Sequence, residues 1–222
     1  MSDLAIRRRE QMKRASRWSF VLFAGFLAIT QQVLSYGPLI SIDESIHNWN
    51  RPKYKGVLGF AIRRLDDLGL RSVTATALIL AALFIGWKFK TWRPINLSLL
   101  SLLSLNLVVG AFKYSLGRTK PRVGFDLLHS GGLSYPSGHA SNAILSWGIL
   151  AYLIFRYAHV NRYRGRLASA GVALISLTVC AVSLLRDTHW FSDLIGGLFI
   201  GGALLVLVIA IDRYFPSKSQ LS

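Results

Sequence analysis

Six apolar stretches, each close to the length of a bilayer crossing, most strongly constrain how this chain can fold. A hydrocarbon layer of roughly 30 Å takes about 20 helical residues to cross. Six spans with short connections use nearly all of the 222 residues. The sequence therefore predicts an all-α fold, a polytopic six-transmembrane-helix bundle that forms one membrane domain. The predicted spans are Trp18–Gly37, Ser72–Trp87, Ile95–Phe112, Ala140–Phe155, Leu167–Leu185 and Trp190–Ile211.

Polarity divides the chain into three parts. We expect a basic, cytoplasmic segment over residues 1–17, the six-span domain over 18–211 and a short polar tail over 212–222. The first apolar stretch follows a basic segment, as in a secretory signal, but it is too long for a signal core, so we expect a retained anchor. Gly197 and Gly201 have the spacing of a helix-packing face.

The charge balance is strongly positive, with 26 Lys and Arg against 10 Asp and Glu and a formal charge of +16. We expect no nucleic-acid partner, because the cations are divided among loops on both sides of the membrane. With a cytoplasmic amino terminus, fifteen basic residues lie inside and eleven outside. The positive-inside bias therefore favours cytoplasmic amino and carboxyl termini, and we expect a bacterial cell membrane.

The outer face in this orientation is unusually basic, which suggests that something anionic binds there. The first outer loop holds six of its cations, from Arg51 to Arg71. We expect that loop to be an interfacial amphipathic segment whose cations contact lipid head groups.

The single cysteine, Cys180, lies in an apolar stretch and has no partner for an intramolecular disulfide.

A first polar cluster lies at the outer end of the third span and just beyond it. Gly117 and Pro121 end the helix there. Four cations in ten residues form a flexible anion clamp, although alone they are equally compatible with solvated charge beside the membrane. These cations are Lys113, Arg118, Lys120 and Arg122.

A second cluster, Tyr135 to His139, comes directly before the fourth span. Ser137 is a suitable N-cap, so the backbone N–H groups of Gly138 and His139 would point outward from a positive helix end. A phosphate group fits such a position well.

A third cluster, Arg186 to Asp193, lies between the fifth and sixth spans. In a helix His189 and Asp193 are four residues apart, so the carboxylate can hold one ring nitrogen and leave the other free. A nucleophilic or general-base histidine requires that arrangement. Two histidines and a carboxylate can also bind a metal, but the neighbouring cations would repel a divalent ion and favour a phosphate dianion.

Together these residues resemble the type-2 phosphatidic acid phosphatase (PAP2) superfamily, whose pattern has three parts. The first, Lys, six residues and Arg-Pro, is present from Lys113 with Lys120 in place of Arg. The second, Pro-Ser-Gly-His, is intact and ends at His139. In the third, His189 and Asp193 match, but Ser183 stands where the family has Arg. Arg186, one helical turn later, is our candidate to replace that arginine.

The resemblance implies a metal-independent lipid phosphatase without a cofactor, with its active site at the outer ends of spans three to six. His189 would attack phosphorus, Asp193 would stabilise the imidazolium, and His139 would protonate the leaving oxygen. The phosphate-binding groups would be Lys113, Lys120, Ser137, Gly138 and Arg186, with Arg118 and Arg122 nearby.

The expected substrate is a lipid with a phosphate or diphosphate head group, reached from the surrounding membrane lipids. Candidates are polyprenyl diphosphate, phosphatidylglycerophosphate and phosphatidate. The segment 124–135 is either a mobile cover that selects among them or a plain connector. Two alternative functions stay open: a non-hydrolytic carrier or binding protein for anionic lipids, and a lipid phosphotransferase.

Overall fold

A computed structural model describes residues 3–158 and 161–215 of the chain. Within these ranges every regular element of secondary structure is a helix, and loops and turns connect the helices. Six of the helices in these two ranges are long and apolar enough to cross a membrane. They are α1 (Asp3–Leu34), α4 (Arg71–Lys88), α5 (Arg93–Leu116), α6 (Gly138–Tyr157), α7 (Arg162–Leu185) and α8 (Phe191–Tyr214).

The six-span prediction is confirmed, because each apolar stretch lies mainly in one of these helices. The structure has no helix break at the predicted boundary after residue 17: α1 begins at Asp3 and runs continuously into the apolar part. At the other end α8 extends to Tyr214, into the predicted tail. The rest of that tail, residues 216–222, lies outside the described residues, as does its cation Lys218.

Two short helices and a turn connect α1 to α4. These are α2 (Pro38–His47), α3 (Gly56–Asp66) and the 3-10 turn Asp67–Gly69. Helix α3 exposes Val57 and Phe60 and carries basic residues in its last turn, as an interfacial amphipathic segment requires.

Arg51, in the same connection, departs from the expectation that its charge contacts lipid head groups. Its side chain is 13% exposed and pairs with Asp187 at 3.1 Å. It also donates to the carbonyl of Leu184 at 2.8 Å. Arg51 therefore fastens the end of α2 to the end of α7.

Helices α6 and α8 form the centre of the bundle, with α1 lying along α8. A Cβ atom added to Gly197 would lie 2.6 Å from the carbonyl oxygen of Ser137, and one on Gly201 would lie 2.9 Å from that of Ser141. The predicted packing face of these glycines is thus confirmed, because only a residue without a side chain permits this approach.

The polar clusters meet at one end of the bundle, here called the site end, where α5 and α7 terminate and α4, α6 and α8 begin. At the opposite end, the buried carboxylate of Asp212 pairs with Arg93 and Arg156 at 2.5 and 2.6 Å. The cost of burying Asp212 is offset by these partners, which tie α5, α6 and α8 together.

Candidate active site

The Asp193 carboxylate holds His189 at the start of α8. Nδ1 of His189 lies 3.3 Å from Oδ2 of Asp193. The predicted contact is present, but its cause differs from the prediction, because His189 precedes the helix. Asp193 occupies the first turn and accepts the backbone N–H of Trp190 at 3.0 Å, which turns its carboxylate back toward the histidine.

Asp193 is fully buried and is bonded on both oxygens. Arg118 donates from Nη1 to Oδ1 at 2.8 Å, and the hydroxyl of Ser134 donates to Oδ2. These donors stabilise the charged carboxylate. An ionised Asp193 favours the His189 tautomer with a proton on Nδ1, which leaves Nε2 unprotonated.

Arg118, which the sequence predicts near a bound phosphate, has its side chain behind Asp193 instead. Its side chain is 0% exposed and also pairs with Asp43 and Asp126 at 2.7 and 2.5 Å. A phosphate group has no access to a guanidinium that is enclosed in this way. The prediction that four cations form an anion clamp is therefore wrong for Arg118, because its guanidinium is paired with buried carboxylates. The other three predicted cations are Lys113, Lys120 and Arg122.

Asp43 comes from α2 and completes this buried cluster. It accepts the backbone N–H of Ser192 at 2.8 Å and the hydroxyl of the same residue. Burial raises the pKa of the Asp43 carboxyl above its ordinary value, while Arg118 and the Ser192 bonds act in the opposite direction. The cluster thus joins α2 to the first turn of α8.

His139 faces His189 from the first turn of α6, with the two ring centroids 6.0 Å apart. Ser137 is the N-cap of this helix, as predicted, and its Oγ accepts the N–H of Ala140 at 3.3 Å. The helix therefore begins at Gly138, directly beside the two histidines.

Lys113 reaches the same place from the last turn of α5. Its Nζ donates to the carbonyls of Leu133 and Ser134, and its Cε lies 3.9 Å from the position of a Cβ on Gly138. Two further cations, Lys120 and Arg71, lie close enough to Lys113 for their positive charges to repel its ammonium group. Arg71, at the start of α4, is a neighbour that the sequence motifs do not indicate.

Arg186 and Ser183 share one carboxylate. The Ser183 hydroxyl donates to Oδ1 of Asp66 at 3.2 Å, and Nη1 of Arg186 donates to Oδ2 of the same residue. The two positions therefore lie on one face at the end of α7, as their spacing predicts. The ring of His139 is close enough to four ionisable side chains to interact with them electrostatically, namely Asp66, His189, Lys120 and Arg186.

Arg122 lies across the end of α7. Its Nε and Nη2 donate to the carbonyl oxygen of Arg186 at 3.3 and 2.9 Å. Its guanidinium is thus positioned by the backbone beside Arg186, and Arg122 is largely exposed.

The segment 124–135 is fastened to the end of α5. The backbone N–H groups of Thr119 and His129 donate to Leu127 and Leu116 at 2.9 and 2.7 Å. Asp126 is held by Arg118. Of the two interpretations of this segment, these bonds favour a connector.

Sequence reasoning missed the acidic residues Asp43, Asp66 and Asp126. Each is buried or nearly so and is paired with an arginine at the site end. No motif contains these three residues, and the scarcity of acids, 10 in a chain of charge +16, is the only sequence signal that could have drawn attention to them. Within residues 3–158 and 161–215, no group of three His, Cys, Asp or Glu side chains is placed to hold a metal ion.

The fold and the site define an integral membrane protein with a polar, two-histidine site at one end of its helix bundle. Residues 94–216, more than half of the chain, match the sequence model of the PAP2 superfamily, and the chain belongs to that superfamily.

Two relatives agree with this assignment. Phosphatidylglycerophosphatase B of Bacillus subtilis (strain 168) is 24% identical over 149 residues, which are 67% of this chain and 72% of that protein. The crystal structure of a transmembrane PAP2-type phosphatidylglycerolphosphate phosphatase from Bacillus subtilis matches with a TM-score of 0.76 at 20% identity. The match covers 90% of this chain and 98% of the other, so the whole helix bundle is of the same type.

Proposed function

We propose that this protein is a membrane lipid phosphatase that works through a phosphohistidine on His189. The observation that carries the proposal is the His189–Asp193 pair, at 3.3 Å, facing His139 across 6.0 Å between ring centroids. A nucleophile with an orienting carboxylate and an opposing acid–base group is what a two-step phosphoryl transfer needs.

In the first step, Nε2 of His189 attacks phosphorus, and the bond from phosphorus to the lipid oxygen breaks. The leaving oxygen takes a proton from His139, and Asp193 stabilises the imidazolium that forms on His189. In the second step, His139 takes a proton from water, whose oxygen attacks phosphorus. The phosphorus–nitrogen bond breaks, which releases inorganic phosphate and restores both histidines.

The non-bridging oxygens carry the negative charge throughout this sequence. Lys113, Lys120 and Arg186 are the side-chain cations assigned to them, joined by the Ser137 hydroxyl and the Gly138 N–H. Arg122 adds charge at the rim. We remove Arg118 from this set, since it is enclosed by carboxylates. No metal ion has a role in this scheme.

The substrate in this proposal is phosphatidylglycerophosphate, ahead of polyprenyl diphosphate and phosphatidate. Support comes from the two relatives, whose names specify phosphatidylglycerophosphatase activity. The site end is assigned to the outer face of the membrane by the charge bias, with both termini in the cytoplasm. A lipid phosphate enters such a site from between the helices.

The test measures inorganic phosphate released from each of the three lipids by the full chain in detergent. His189→Ala is expected to abolish release and EDTA to leave it unchanged. His129→Asn is the matched control, because His129 has a φ of 55° and Asn tolerates that conformation. Release by the His189 variant, or loss of release with EDTA, would overturn the mechanism. Phosphate found on an acceptor lipid instead of in solution would identify a phosphotransferase, and binding without either product a carrier.

A further inference from the structure

Asp66 lies outside the part of the chain that matches the superfamily, at the last residue of α3. It is 5% exposed. Because a buried carboxylate is costly without partners, its surroundings indicate what it is for. Its partners are Ser183, at which this chain departs from the superfamily pattern, and Arg186, our candidate to replace the missing arginine.

Those partners share the carboxylate. Ser183, which stands where the superfamily has an arginine, donates to Oδ1, and Arg186 donates from Nη1 to Oδ2. A guanidinium has five N–H donors in a fixed fork. Asp66 accepts a hydrogen bond from Nη1, which orients the guanidinium group and leaves its other N–H groups available to a ligand. The Arg186 side chain is 29% exposed, which leaves it accessible to a phosphate group.

The backbone that carries Asp66 is fixed against α6. In the turn that follows Asp66, a Cβ added to Gly69 would lie 2.8 Å from the carbonyl oxygen of His139. The indole of Trp147 also donates to the carbonyl of Leu68 at 2.8 Å. Asp66 is therefore held in a fixed position relative to His139. Because Arg186 donates to Asp66, the position of the Arg186 side chain relative to His139 is fixed as well.

We propose that Asp66 is a positioning residue, which holds Arg186 where it can bind the phosphate in place of the arginine that Ser183 lacks. The inference rests on the proposed phosphatase function. The connection between α1 and α4 is, on this view, part of the active site. Without Asp66 the long Arg186 side chain would sample many rotamers and bind phosphate less well.

The opposite role for Asp66 makes a different prediction. If its carboxylate competed with phosphate for Arg186, its removal would tighten phosphate binding. If it positions Arg186, its removal weakens binding. Inhibition of turnover by added inorganic phosphate measures this directly.

The experiment compares Asp66→Asn, Arg186→Gln and the double variant in the full chain in detergent, by kcat, KM and phosphate inhibition. Asp67→Asn is the control, because Asp67 is the adjacent acid and pairs only with the exposed Arg64 in the described contacts, at 3.0 Å. We expect each single change to lower kcat/KM about tenfold or more and to weaken inhibition by phosphate. The double variant should be no worse than Arg186→Gln, because both changes remove one interaction.

Three results would overturn the inference: Asp66→Asn behaving like the Asp67 control, tighter inhibition by phosphate, or losses that multiply in the double variant. If Asp66→Asn does not fold, Asp66→Glu keeps the charge but displaces it. Unchanged kinetics in Asp66→Glu would equally contradict the inference. Turnover by His189→Ala refutes the phosphatase mechanism itself, whereas an inactive His189 variant beside an unaffected Asp66 variant refutes only this inference.

Discussion

Nη1 of Arg118 lies 2.8 Å from Oδ1 of Asp193, and neither side chain is exposed to solvent. This pair connects the end of α5 to the carboxylate that orients His189. Asp43 and Asp126 bind the other side of the same guanidinium. Arg118 thus balances the charge of the carboxylates behind the two histidines, and in the proposed mechanism the phosphate is bound by the other cations.

Arg118→Gln is expected to destabilise the protein as well as abolish turnover. Removing the cation leaves buried carboxylates unpaired, which costs about 3–5 kcal/mol in comparable pairs. Thermal unfolding in detergent measures the loss, and Arg64→Gln, at an exposed ion pair, should change it little. A variant of full stability whose defect is confined to phosphate affinity would return Arg118 to the phosphate-binding groups.

Gly69→Ala is expected to reduce turnover without any change in a charged group. The added Cβ would lie 2.8 Å from the His139 carbonyl oxygen and 3.0 Å from the His139 Cβ, and 2.7 Å from Cγ1 of Val179. The turn must therefore move, or His139 and Val179 must give way. A displacement of a general acid by a fraction of an ångström impairs proton transfer. The measurement is kcat for phosphate release.

Gly171→Ala in α7 provides the control for that substitution. A Cβ there meets no atom within 4 Å, and the change should stabilise the helix by about 0.5–1 kcal/mol. Equal kcat values for the two alanine variants would show that the contact between Gly69 and His139 has no part in catalysis.

The sequence predicts the helices and the meeting of the histidines better than it predicts the ion pairs. The length of each apolar stretch specifies a span, and alternation of direction brings the ends at Lys113, His139 and His189 to one face. The contact of Arg186 with Asp66 joins residues 120 positions apart, and that of Arg118 with Asp43 joins residues 75 apart. No local spacing encodes such pairs, because they depend on how α2 and α3 fold back over the bundle.

The proposal that Arg186 replaces the superfamily arginine can be tested by restoring an arginine at position 183. Arg186→Gln should lower kcat/KM, and Ser183→Arg added to that variant should recover part of the loss. The reason is that Ser183 already lies 3.2 Å from the carboxylate that holds Arg186. Steady-state kinetics on one lipid phosphate decide the outcome. No recovery in a folded double variant would mean that positions 183 and 186 do not serve the same phosphate oxygens.

Detection of the covalent intermediate tests the phosphohistidine mechanism most directly. His139→Gln should slow hydrolysis of the phosphoenzyme, since no base remains to activate water, and should also slow its formation, since the leaving oxygen loses its acid. The wild-type chain and this variant are therefore sampled over a time course with a lipid phosphate, from brief to long incubation, and quenched under denaturing conditions at alkaline pH. Mass spectrometry of the peptide that contains His189 is the decisive measurement. We expect one added phosphoryl group on His189, absent from His189→Ala. A phosphoryl group on another residue, or turnover with no phosphorylated peptide in any variant, would contradict it.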